Sequence, residues 1–221
     1  RQSKRRTVLF PEDLLGQPCC PSLTVKMQNQ VSQALADPYQ ELNAALTDQP
    51  QGFMDESPTK EGTARAWLWT AVAPTFAVFA ICLSRAATAI GQLLGDGFTG
   101  TINCDRAKMY WQAGRLQWCW AHLKRDIQAL IDHPDRQVKR LGHDLMRHVT
   151  AMFQHWHDFH AGTISRQAFR QRMAPVRDTV DGLLLRGACS GNARLVGMCN
   201  ELYGHRDWLW KFVDSDRIQP T

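Results

Sequence analysis

Apolar positions step by three or four up to residue 50. From there to about residue 130 they come in short, β-branched runs, and beyond Pro134 the helical step returns. That change of period predicts a helical arm, an α/β core and a helical block. In the arm, Phe10-Pro-Glu-Asp-Leu-Leu-Gly16 predicts a short helix with Pro11 early in it and Gly16 at its end. Leu23, Val25/Met27, Val31 and Leu35 predict an amphipathic helix capped by Ser22 or Thr24, and Tyr39 to Leu46 predicts a second one after Asp37-Pro38. This periodicity says that the arm packs. It leaves open whether the arm contacts DNA or a second copy of the chain.

In the core, Gly52-Phe-Met predicts a short strand ending in Asp55-Glu56. Lys60-Glu61-Gly62 predicts a hairpin turn, Ala66 to Ala73 a second strand, and Phe76 to Leu83 a third after the turn at Pro74-Thr75. Ser84 is placed to cap a helix from Arg85 to Leu94, with Gly95 as its stop. Thr99 to Cys104 predicts a buried strand that delivers Asp105 at its end. Leu116 to Trp120 predicts a fifth strand, leading into the helix that holds His122. A meander followed by a helical crossover makes the expected sheet mixed. Farther on, Leu141, Leu145, Val149, Phe153, Trp156 and His160 form one helical stripe. Ser165 opens another helix, which Pro175 either kinks or divides, and Ala193 to Leu202 and Trp208 to Val213 complete the block.

Composition adds exclusions. Hydrophobic content of 44% suffices for a core. The most apolar stretch, Trp67 to Leu83, is broken by Pro74 and falls short of the roughly eighteen residues of a membrane span, so no membrane partner is expected. Seven irregularly spaced cysteines argue for a reducing, cytoplasmic setting and against a disulfide scaffold. A net charge of +5 permits nucleic-acid binding without requiring it. The basic run Arg1 to Arg6 reads as a solvated tail, with phosphate contact as the alternative.

Chemistry concentrates at two aspartates. Alone, each reads as a turn cap. Together, at the ends of strands that this order makes neighbours, Asp55 and Asp105 converge as hard oxygen ligands for Mg²⁺ or Mn²⁺, the ion that phosphodiester displacement needs. Cys119-x-x-His122 offers half of a zinc site at most, with Cys104, Cys189 and Cys199 as the remaining cysteines in question, so a packed pair that orients the Asp105 loop is expected rather than Zn²⁺. His143, His148, His155 and His157 have no carboxylate at ligand spacing and are expected at the surface. Lys124, Arg125, Arg136, Lys139 and Arg140 are candidate phosphate contacts. Trp156, Trp208 and Trp210 are expected in the core rather than stacked on an unpaired base.

Gly52-Phe-Met-Asp55-Glu56, Arg65-Ala-Trp-Leu-Trp69, Cys104-Asp105-Arg106 and, above all, Gln117-Trp-Cys-Trp-Ala-His-Leu-Lys-Arg-Asp126 resemble the insertion-sequence-66 family of bacterial transposases. Val31 to Tyr39, Thr163 to Phe169 and Gly187 to Leu202 extend the resemblance to nearly the whole chain. It implies a ribonuclease-H-like α/β fold with a helical insertion, and an Asp-Asp-Glu triad that cuts and joins DNA with Mg²⁺ or Mn²⁺. Asp55 takes the place of the first acid and Asp105 that of the second, with Cys119 and His122 in support and Arg106 and Lys108 joining the DNA-contacting set. The implied partners are DNA, as element ends and target, and a second copy of the chain, with no small-molecule substrate.

The implied divisions are an arm over 1–50, a catalytic core over 51–130, an insertion over 131–215 and the start of a catalytic segment at 216–221. Departures from the family pattern are Ser57-Pro58-Thr59 after Glu56, where Thr-Gly-Trp is usual, and Ala107-Lys108 after Arg106, where a small polar residue and a tyrosine are typical. The third acid belongs to an Asn-Asn-x-x-Glu helix after a Glu-Pro-Thr segment, whose start Gln219-Pro-Thr221 matches. Neither that glutamate nor the family's zinc-finger-like N-terminal region is among the 221 residues, so the expectation is a polypeptide truncated at both ends and inactive by itself. Glu56 points across its strand, and Asp214 and Asp216 precede the missing helix, so none of them is expected to replace the glutamate. A different class of function, a DNA-binding or dimerising remnant without catalysis, is the alternative.

Overall fold

The computed structural model describes residues 4–95 and 97–221, and the chain divides into two compact units between Ala45 and Leu46. The first unit holds α1 (Lys4–Leu15), α2 (Pro21–Ala34) and α3 (Ala36–Ala45). Its helices begin earlier than the apolar pattern predicts. α1 carries Pro11 inside it, because the good helix formers Lys4 to Arg6 extend it upstream. α2 starts at Pro21, a residue pre-set for the first helical position, so Cys20 occupies the capping place. Neither Ser22 nor Thr24 acts as the cap. Ser22 Oγ lies 3.0 Å from Cys20 Sγ, and the Thr24 hydroxyl donates to Pro21 O at 2.7 Å. α3 takes Asp37 and Pro38 into its first turn, where a missing N–H is tolerated. α2 and α3 bury none of their residues. Three short helices are too few to enclose a core of their own.

The second unit is built on a mixed five-stranded sheet in the order β3-β2-β1-β4-β5. β1 (Gln51–Glu61), β2 (Ala64–Val72) and β3 (Ala77–Cys82) form the antiparallel meander. α4 (Thr88–Leu94) crosses over to β4 (Thr101–Cys104), which pairs in parallel with β1 and with β5 (Leu116–Trp118). β1 runs on past the predicted end at Glu56. Beyond Phe53 its one partner among the described residues is β2, which pairs it residue by residue to Glu61↔Ala64. Pro58 therefore sits at an edge, the position in a sheet that accepts a proline. α4 is shorter than predicted, since Ser84 Oγ accepts from Ala86 N and forms a turn ahead of the helix instead of capping it.

Side chains alternate across a sheet, and the two faces differ sharply. One carries Met54, Trp69, Ala71, Val78, Ile102, Cys104, Leu116 and Trp118, all buried in the core shared with Ala89, Ile90, Leu93 and Leu94 of α4. The other carries Gln51, Thr101, Asn103 and Gln117, the buried polar residues among those described. Over these amides runs the segment from Leu209 to Pro220. Gln117 Nε2 donates to Leu209 O at 3.0 Å, and its Oε1 accepts from Phe212 N at 3.2 Å. Asn103 Nδ2 donates to Gln219 O at 2.9 Å, while Gln51 Oε1 accepts from Gln219 N at 2.9 Å. Trp120 adds an indole bond to Leu209 O and a backbone bond to Pro220 O. On the β2–β3 half of this face Val72, Phe79 and Ile81 are 37%, 55% and 54% exposed among the described residues.

The helices that follow are α5 (Trp120–Ile131), α6 (Arg136–His160), α7 (Arg166–Ala188), α8 (Ala193–Gly204) and the short α9 (Lys211–Asp214). Consecutive members from α5 to α8 pack on one another. Two glycines set the close approach: a Cβ at Gly142 would lie 2.8 Å from Ile131 N, and one at Gly187 would lie 2.8 Å from Leu141 Cδ2. α7 is one continuous helix with exposed Pro175 inside it, because Met173 and Val176 on either side are buried and hold both halves to the core. Asp135, Ser165 and Asn192 cap α6, α7 and α8 through side-chain oxygens. Among the described residues no helix is long and apolar enough to cross a membrane.

Gln117 is fully buried and bonds two points of the covering segment, so Gln117→Ala strands the Phe212 N–H and opens a void. We expect a loss of about 2–4 kcal/mol in urea unfolding. A change below about 0.5 kcal/mol shows that the segment is held by other means.

Candidate functional site

β1 and β4 pair in register as Gln51↔Thr101, Gly52↔Ile102 and Phe53↔Asn103. Counting on two residues from the last pair reaches Asp55 on one strand and Asp105 just past the end of the other. The predicted carboxylates thus leave neighbouring parallel strands at the same height. Asp55 lies within β1 rather than at its end, exposed on the amide-bearing face. Asp105 is half-buried where the chain leaves β4. Each commits Oδ1 to a nearby backbone N–H, Asp55 to Glu56 N at 2.9 Å and Asp105 to Ala107 N at 2.8 Å. No protein donor reaches either Oδ2 among the described residues.

That donor set suits Mg²⁺ or Mn²⁺, which bind through one or two carboxylates and keep several waters. No group of three or more His, Cys, Asp or Glu side chains forms a metal cluster among the described residues. Cys119 and His122 belong to no such group among the described residues.

Glu56 turns to the opposite face, as strand alternation requires, and its side chain is only 1% exposed. A buried carboxylate needs partners, and it has two. Arg85 Nε donates to Oε1 at 2.8 Å, and the Tyr110 hydroxyl donates to Oε2 at 2.6 Å. Burial together with this bond pushes the Tyr110 phenol well above its ordinary range. The same carboxylate, with help from Asp105, raises the Arg85 guanidinium. Arg85 comes from the β3–α4 connection and Tyr110 from the 3₁₀ turn Lys108–Ala113, so Glu56 gathers both loops behind the aspartates. Sequence reasoning assigned Arg85 to a helix and Tyr110 to nothing. The available signal was the strand parity that sends Glu56 inward, where a carboxylate must be matched.

Arg106 is also engaged. Its guanidinium meets Asp126 of α5 at 2.9 Å and Glu201 of α8 at 2.5 Å, tying the loop after Asp105 to the helical block. Cys119 N bonds Cys104 O at 2.8 Å, and Cys119 stands at the start of α5. His122 Nδ1 is buried without a hydrogen-bond partner among the described residues. Arg106, Tyr110 and the backbone bond between Cys119 and Cys104 tie down the chain around Asp105. Burial among apolar neighbours, with Asp105 adding to it, raises the Cys104 thiol.

The remaining predicted residues lie apart from the aspartates or at the surface. Lys108 is exposed, 5.5 Å over the Trp111 ring, and Lys124 is exposed, 5.4 Å over the Phe153 ring. Arg125, Arg136, Lys139 and Arg140 are exposed on α5 and α6. His143 and His157 are exposed, whereas His148 and His155 are half-buried along the inner edge of the long α6 stripe. Trp156 and Trp210 are core residues, and Trp208 is half-buried, stacked on His205 with centroids 4.2 Å apart. Asp216 is ion-paired with Arg166, and Asp214 is exposed.

The chain matches the family model described as "Transposase IS66 family" over residues 5–221. No curated protein and no solved structure matches it.

The Tyr110 phenol gives a pH signature. Its raised value means that the folded protein keeps a proton which the unfolded chain releases above pH about 10. The bond to Glu56 is present below that pH, and its contribution falls as pH rises above it. Wild-type stability should decline more steeply than that of Tyr110→Phe above pH 10, by up to about 1.4 kcal/mol per pH unit. Parallel declines in urea midpoints across pH 9–11 would show that Tyr110 ionises freely in the fold.

Proposed function

We propose that this chain, which belongs to the IS66 family of transposases, contributes Asp55 and Asp105 to metal-dependent DNA strand cleavage and transfer on a ribonuclease-H-like sheet. The observation that carries the reading is the matched height of the two aspartates on neighbouring parallel strands, each with a carboxylate oxygen left over. The antiparallel meander β1-β2-β3 followed by parallel β4 and β5 supports the fold assignment. Mg²⁺ or Mn²⁺, when bound by these carboxylates, supplies activation of the attacking oxygen and stabilisation of the leaving one.

The chain's own residues do the rest of the work. Arg106 and Tyr110 hold the Asp105 loop, and β-pairing with Thr70 holds Asp55. DNA is the partner that the family implies, and the exposed Lys124, Arg125, Lys139 and Arg140 are suited to its phosphates.

Two carboxylates are two thirds of an Asp-Asp-Glu set. In the family pattern the glutamate follows the segment that Gln219-Pro220-Thr221 matches. That segment is bonded to Gln51 and Asn103 on the face that also bears Asp55 and the open Val72, Phe79 and Ile81. Among the described residues no third acid joins Asp55 and Asp105, which supports the reading that residues 1–221 by themselves lack catalysis.

The test is paired. Purified residues 1–221 should bind Mn²⁺, seen by its relaxation effect on water protons, and lose that binding in Asp55→Asn and Asp105→Asn. They should leave supercoiled DNA uncut in Mg²⁺. Nicking that Asp105→Asn abolishes would overturn the proposed inactivity, and Mn²⁺ binding unchanged in both variants would overturn the carboxylate pair.

A further inference from the structure

Trp67 lies on β2 next to Trp69, on the same face of the sheet as Glu56, and two guanidiniums meet its ring. Arg65 Cζ is 4.9 Å and Arg85 Cζ 5.0 Å from the centroid. The two cations therefore lie within about 10 Å of each other, where like charges repel. Arg85 has a carboxylate, but an unequal one. The Glu56 side chain is 1% exposed and that of Arg85 is 46% exposed, so the pair anchors the guanidinium at its inner edge and presents the outer edge to water. Nε and Nη2 are bonded to Glu56, which leaves the Nη1 donors directed elsewhere. Arg65 is exposed and takes part in no ion pair among the described residues. Tyr110 uses the other oxygen of Glu56.

A guanidinium oriented by a buried acid and a flat aromatic ring loses little freedom on gripping an anion, which favours planar, two-point contact with phosphate. The position is apt. Glu56 faces away from Asp55 but is bonded to Tyr110 of the turn that follows Asp105, and Arg85 is near enough to Asp105 for that carboxylate to act on it. We propose that Arg85 and Arg65, stacked on Trp67 and anchored by Glu56, form a clamp for the DNA backbone on the Asp105 side of the acid pair. The clamp rests on the function proposed above and names the residues that would seat a phosphate next to the acids. Arg85 is here a phosphate-binding residue, and Glu56 and Trp67 are its positioning residues.

Binding of a 20-base-pair duplex of arbitrary sequence to residues 1–221 would be measured as a function of salt. The plot of log affinity against log salt should become shallower by about one unit in Arg85→Gln and again in Arg65→Gln, while Arg85→Lys keeps the slope and weakens binding. Arg85→Gln leaves Glu56 buried and unpaired, so the fold can suffer. The double variant Glu56→Gln/Arg85→Gln removes that charge, and it should recover the urea midpoint without recovering the slope. Arg65→Gln, on an exposed side chain, serves where neither variant folds. Wild-type binding whose slope is unchanged by both arginine substitutions overturns the clamp alone and makes Glu56–Arg85 a structural staple. A wild-type chain that shows no salt-dependent DNA binding overturns the clamp together with the DNA-acting reading on which it rests.

Discussion

Once the stretch from Leu209 to Pro220 lies across a sheet face, its backbone groups lose water and must be bonded from below. Gln51, Asn103 and Gln117 meet that requirement from three different strands, β1, β4 and β5, at heights set by the parallel register. The constraint works in both directions. The segment closes the core at Trp120, Phe212 and Val213, and the three strands are cross-linked by a piece of chain far away in sequence. Asp55 lies four residues beyond Gln51 and Asp105 two beyond Asn103 on the same two strands, so the register that seats the segment also aligns the acids.

The sheet divides acidic chemistry between its faces. Asp55 is exposed on the amide-bearing face, and the adjacent Glu56 is enclosed on the other by Arg85 and Tyr110. An enclosed carboxylate with both oxygens bonded is poorly suited to trade them for an ion. It is well suited to fix two loops that otherwise have only short contacts with the sheet. Arg106 does the corresponding job on the opposite flank, joining the loop after Asp105 to α5 and α8. In a chain of the IS66 transposase family, the helical block is thereby tied to the residue after the second aspartate rather than appended to the sheet's margin.

Much of this was legible in the residues. The change of apolar period predicted the order of strands and helices after residue 50, and the β-rich runs placed β2 to β5 and the start of β1 within a few residues. The strand–acid pattern singled out Asp55 and Asp105, and strand parity sent Glu56 to the far face. Less visible were features decided by pairing. Nothing local says that β1 continues through Ser57-Pro58-Thr59, because its continuation depends on β2 remaining alongside. Polar residues inside strands look like surface positions, so Gln51, Asn103 and Gln117 gave no sign that a distant segment would bury them. Pro175 looked like a break, but a proline whose ring faces solvent can ride inside a helix held on both sides. His122 drew attention through its spacing to Cys119, while the side chains that hold the loop, Arg85, Tyr110, Asp126 and Glu201, are scattered over more than a hundred residues with no motif to join them.

The covering segment is attached to the sheet by neutral groups, while Arg166 and Arg170 of α7 hold it from the helical side. Amides and an indole neither titrate in ordinary buffers nor attract counterions, so their bonds are not screened by salt as an ion pair's are. Across the ionic strengths that screen a basic surface, the amide bonds between the segment and the sheet keep their strength. Electrolyte can thus modulate the charged exterior of this protein as an adjustable layer over an interior that does not respond to it.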